Sequence, residues 1–166
     1  MFESVHEFSE WLAGTGLSVV LQTTSWAIPA VQTVHIVSVA AVVSATFLVS
    51  LRILGIFERS QALAALSGRF LPWVWYALVV LFVSGALLVI AEPGRSLTNP
   101  AFVLKMVMLL GAAGLTLLLQ RPLQADAAFW DASSQRRALA RTIAVLSLSL
   151  WSGIVFAGRW IAYVSV

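Results

Sequence analysis

Residues 71–92 read LPWVWYALVVLFVSGALLVIAE, an apolar run with no charge before Glu92, opened by Pro72 and stopped by Pro93-Gly94. At ~1.5 Å per residue a helix of this length covers a ~30 Å hydrocarbon core. Three further runs are also apolar over most of their length: residues 26–56, 100–120 and 142–166. Pro29 suits the first turn of the first, with Thr24 and Ser25 as its caps. Asn99-Pro100 opens the third with a capping residue followed by proline. Trp160 and Tyr163 are placed as interfacial anchors of the fourth. The expected fold is all-α, an integral membrane bundle of four helices.

Composition agrees with this pattern. Of 166 residues, 60% are hydrophobic and 10% charged, whereas soluble domains carry about a quarter charged residues. So apolar a short chain cannot hide its surface in one soluble core. Residues 2–20 read as an amphipathic interfacial helix, with Phe2, Val5, Phe8 and Leu12 opposite Glu3, Glu7 and Glu10. The chain thus divides into an interfacial segment, 1–22, and a transmembrane domain, 23–166. Residues 123–140, polar and alanine-rich, are expected to form a short surface helix.

The net charge of +3 does not point to nucleic acid, because the basic residues sit at the ends of apolar runs. Arg52, Arg59 and Arg69 follow the first span, and Arg121, Arg136, Arg137 and Arg141 follow the third. The positive-inside rule then puts both termini outside, in the periplasm of a bacterial inner membrane. Glu3, Glu7 and Glu10 without a preceding basic region argue against a cleavable secretory signal. Cysteine is absent, which removes disulfides, thiolate metal sites and cysteine nucleophiles. No serine has a histidine–carboxylate pair, and no phosphate-binding glycine loop or metalloprotease spacing is present.

The polar residues that remain gather in the outer half of the expected bundle. His35 lies nine residues, ~13 Å, into the first span. Lys105 lies five residues after Pro100, and Arg159 seven residues before residue 166, while Glu92 and Arg95 end the second span. A lysine or arginine in hydrocarbon costs at least ~2.5–3.5 kcal/mol, so such residues seek a partner, a cavity or the interface. Snorkelling to headgroups accounts for Lys105 or Arg159 taken singly; their coincidence in depth with His35 points to a site. Gln32, Ser38 and Thr46 share a helical face with His35, whose alternatives are hydrogen bonding between helices, ligation of haem or metal, or proton handling. Ser152 and Arg159 share a face of the fourth span, and Gly111, Gly114, Gly153 and Gly158 allow either close helix packing or a flat cofactor. Trp73, Trp75 and Trp151 are candidates for stacking on a ring, though lipid or core contacts compete.

This set predicts a b-type haem, with His35 as axial ligand and Lys105, Arg95 or Arg159 neutralising propionates, and with Gln32, Ser38 and Ser152 lining the pocket. Only one histidine lies within a span. The second axial ligand would be His6, Met106 or Met108, or would come from another subunit; five-coordinate iron is also open. His35, Met108 and His6 are the corresponding metal ligands, and copper on His35, Met106 and Met108 is the weaker candidate. Electron transfer, or anchoring of a periplasmic redox partner, is the expected role. The alternatives are a lipid-binding or assembly subunit of a membrane complex and a small transporter of an anionic solute. Membrane lipids are expected partners, and the glycine-rich faces of the last two spans suggest a homo-oligomer.

WAIPAVQTVH at the first span, SLRILG at its inner end, NPAFVLK at the third span and AGRW in the fourth resemble a group of small four-span bacterial inner-membrane proteins of unsettled function. The resemblance covers nearly the whole chain and implies importance for Trp26, Pro29, His35, Arg52, Asn99, Pro100, Lys105 and Arg159. More distantly, the layout is similar to membrane b-type cytochromes and to membrane proteins of copper resistance. Those carry paired histidines on two helices, a pattern this chain departs from.

Overall fold

The computed structural model describes residues 2–57 and 60–160. Tyr163 and Arg59 lie outside the described residues. Among these residues all regular structure is helical, with α1 (Phe2–Ala13), α2 (Gly16–Thr23), α3 (Ala27–Ile53), α4 (Leu63–Ala91), α5 (Pro93–Leu97), α6 (Pro100–Ala125) and α7 (Ser134–Trp160). Four of them, α3, α4, α6 and α7, are long and apolar enough to cross a bilayer. The protein is a multi-pass, all-α membrane bundle. Phe82 (79% exposed), Leu110 (74%) and Phe156 (73%) stand outward on three of the four, as a lipid-facing surface requires.

Several boundaries differ from the sequence reading. Residues 2–20 form two helices, not one: the chain breaks at Gly14, and the Thr15 side chain caps α2 by accepting from Ser18 N–H. The side chains of Thr24 and Ser25 do not cap α3. Trp26 takes that position, and Thr24 gives only its backbone carbonyl, to Ala27 N–H at 3.0 Å. Helix α4 begins at Leu63, so Pro72 lies inside it, and α6 runs past Pro122 to Ala125. Most of the expected surface helix at 123–140 is instead divided between the end of α6, a turn, and the start of α7. Asp126 Oδ1 accepts from Ala128 N–H at 2.9 Å in that turn, and Ser133 Oγ accepts from Arg136 N–H at 3.2 Å as α7 opens.

The long helices pair as two hairpins, α3 with α4 and α6 with α7, and α3 also packs on α7. The fourth side is weak, since α4 meets α6 at few places. One of these lies near the arginine-rich end, where Trp75 Nε1 donates to Gln120 Oε1 at 2.6 Å. Burial follows the same asymmetry. Val42, Val49, Leu71, Val74, Ala112 and Trp151 form a closed core through the middle and the arginine-rich half. In the opposite half none of residues 100–111 is fully buried.

Helices α1 and α2 pack across the end opposite the arginines. Ser9 of α1 faces Gly94 of α5, where a Cβ would stand 3.6 Å from the serine oxygen. Gln22 of α2 donates from Nε2 to Ser18 Oγ and to the Ala91 carbonyl, both at 2.9 Å, so α2 satisfies a carbonyl left open at the end of α4. Phe8 and Trp11 remain exposed on α1 and stack at 5.7 Å. This segment seats on the bundle and leaves those two apolar side chains uncovered.

Candidate functional site

His35 is the only histidine in a long helix among the described residues, and its ring is half-buried between α3 and α4. Gly85 makes room for it: a Cβ there would stand 3.4 Å from His35 Cε1. The His35 Nδ1 atom is 2.9 Å from Ser84 Oγ. Ser84 has a single hydroxyl proton, which it donates to the Val80 carbonyl at 2.7 Å. Its oxygen must therefore accept, and Nδ1–H of His35 donates. The neutral imidazole is left with its lone pair on Nε2.

Lys105 is half-buried and lies across the backbone of α7, with Nζ 3.8 Å from the position of a Cβ on Gly158. One turn further along α6, Met108 places its sulfur 2.9 Å from where a Cβ of Gly153 would be. Glycines at 153 and 158 thus hold the two α6 side chains against α7. Close helix packing, one of the two roles open to these glycines, is what they perform here.

The other sequence-predicted residues are dispersed. Arg159 is exposed at the end of α7, one position beyond Gly158. Arg95 is exposed and pairs with Glu92 at 3.0 Å. Gln32 and Ser152 are exposed; Ser38 is buried and donates to the Val34 carbonyl at 2.8 Å within its own helix. His6, expected as a second ligand, is exposed on α1, with Nδ1 3.6 Å from a Glu10 carboxylate oxygen. No group of three or more His, Cys, Asp or Glu side chains suited to a metal ion occurs among the described residues. Of the three tryptophans, Trp73 is exposed, Trp75 is tied to Gln120 and Trp151 is in the core.

Ser84 and Gly85 complete the surroundings of His35, and sequence reasoning did not single them out. Their signal was a small polar–glycine pair in the middle of the second apolar run. Comparison with known families matches residues 8–164, all four long helices included, to a single family model. The chain belongs to the DUF6644 family, a family of unknown function. No curated protein and no solved structure matches it. Membership in DUF6644 therefore brings no activity with it, and the His35–Lys105 region of this member has to be read from its own geometry.

Proposed function

We propose that the chain is a membrane-embedded haem-binding protein, with His35 as axial ligand and Lys105 as counter-ion to a propionate. It would serve electron transfer or anchor a periplasmic redox partner. The observation that carries this reading is the hydrogen bond from His35 Nδ1–H to Ser84. Ligating histidines characteristically donate their other ring N–H to a fixed acceptor, which sets the tautomer and strengthens the bound nitrogen as a donor. Here the acceptor sits on a neighbouring helix, with its own proton engaged elsewhere.

The donor set fits one axial bond and one anionic group. Lys105 is a cation held in an apolar helix at a cost that a buried counter-ion would offset. Haem, when bound, supplies one-electron chemistry; the chain supplies the imidazole, its orientation and a surrounding of low polarity. The weakly joined side between α4 and α6, where α6 is nowhere fully buried over residues 100–111, supports entry of a flat ring from that side. The arginine distribution supports a bacterial inner membrane with both termini periplasmic, which puts this half of the bundle outward.

The test is an absorption spectrum of protein purified from haem-replete cells, followed by titration with haemin. A Soret band is expected, lost in His35→Ala and retained but shifted in Ser84→Ala. Protein that shows no Soret band and takes up no haemin would overturn the reading.

A further inference from the structure

At the other end of the bundle, between the α3–α4 and α6–α7 connections, lies a second site: a pocket of about 370 Å³. Its apolar wall includes Leu63 and Trp130, both buried, and the indole is fixed by donating Nε1–H to the Leu119 carbonyl at 3.0 Å. Around it stand Arg52 from the end of α3 and Arg137 and Arg141 from the first turns of α7, with the single carboxylate Asp131. Among the described residues none of the three guanidinium groups is in an ion pair with a carboxylate.

The arginines are held in place by backbone carbonyls. Arg52 donates from Nε and Nη2 to the Gln61 carbonyl in the α3–α4 connection. Arg137 donates from Nη1 to the Asp131 carbonyl at 2.7 Å, and Arg141 has no hydrogen-bond partner among the described residues. Helix α3 ends on Gly55, whose φ of 74° is left-handed. Gly55 N–H donates to the Arg52 carbonyl and Ile56 N–H to the Leu51 carbonyl. This closing turn ends α3 just past Arg52, which leaves the arginine in the last turn of the helix.

Topology alone accounts for arginines at this end. It does not account for three of them converging on a cavity with a tryptophan wall, with no carboxylate ion pair among the described residues. Guanidinium forks match the paired oxygens of a phosphate, and basic pockets between membrane helices are suited to anionic headgroups. We infer that this pocket binds a phosphate-bearing anion, with Arg52, Arg137 and Arg141 on the phosphate oxygens and Trp130 and Leu63 against the apolar part of the ligand. The apolar wall and the position at the ends of four spans favour a phospholipid headgroup over free phosphate. This inference does not depend on haem.

Native mass spectrometry of the full chain, after detergent exchange and addition of phosphatidylglycerol or phosphatidylcholine, tests it. A parallel series measures thermal unfolding with each lipid and with inorganic phosphate alone. Phosphatidylglycerol is expected to bind at one equivalent and raise the unfolding temperature, with at least tenfold weaker binding in Arg137→Gln/Arg141→Gln. Arg141→Gln alone, which removes no described hydrogen bond, keeps the comparison if the double variant does not fold. Protection by inorganic phosphate, lost in the same variants, would support the phosphate site and assign it to a soluble ligand. Equal retention of phosphatidylglycerol by wild type and variants, with no response to phosphate, would overturn the inference, as would equal retention of phosphatidylcholine.

Discussion

Trp151 is 2% exposed, and its indole N–H has no hydrogen-bond partner among the described residues. A buried donor without an acceptor costs roughly 1–3 kcal/mol, which is set against the apolar area that the ring buries. Trp151→Phe keeps most of the ring, removes the stranded N–H and leaves a small void. The two effects oppose each other, so thermal unfolding in detergent is expected to change by less than about 1 kcal/mol. A loss of several kcal/mol would mean that the indole N–H has an acceptor in the membrane, such as a bound water or ligand. His35 shows the contrary case at the same scale. Its ring nitrogen is satisfied by a hydroxyl from another helix, and that pairing, 49 positions apart in sequence, gives the imidazole a defined orientation.

At the scale of the helices, ends are decided by backbone geometry more than by composition. Gly55, at a φ of 74°, closes α3 in a conformation that costs other residues about 1–2 kcal/mol. Gly68 lies inside α4, exposed, with nothing within 4 Å of the position of its missing Cβ. Gly55→Ala is expected to destabilise by about that 1–2 kcal/mol. Gly68→Ala is expected to be neutral or to stabilise by up to ~1 kcal/mol, because alanine is the better helix former. Chemical denaturation of the two variants in one detergent checks both signs. The same contrast explains what could be read in the sequence. Four apolar runs announce four spans, since hydrocarbon admits little else. Pro72 and Pro122 signal helix ends locally, yet the chain carries α4 and α6 through both. His35 and Lys105 stood out because a polar side chain is rare in such runs. Ser84 and Gly85 did not, because a serine and a glycine are ordinary there, and only the pairing of α3 with α4 gives them a partner.

The whole molecule is polar in the sense of having two unlike ends. Among the described residues, six arginines (Arg52, Arg69, Arg121, Arg136, Arg137 and Arg141) belong to the end of the α3–α4 and α6–α7 connections, while Arg95, Lys105 and Arg159 belong to the other. Packing follows the same axis, closed around Val49, Leu71 and Ala112 and looser around His35 and Lys105. If the arginine-rich end faces the cytoplasm, as the charge bias favours, the imidazole opens toward the periplasmic side and the arginine pocket toward the inner leaflet. The chain has no cysteine, so single cysteines can report this directly. Thr98, just beyond α5, and Gln135, in the first turn of α7, are both exposed and lie at opposite ends. An impermeant maleimide added to intact cells is expected to label Thr98→Cys at once and Gln135→Cys only after lysis. The reverse pattern would turn the bundle over, placing His35 and Lys105 on the cytoplasmic side. It would rule out a periplasmic redox partner while leaving the helix packing, and the chemistry each end can perform, as described.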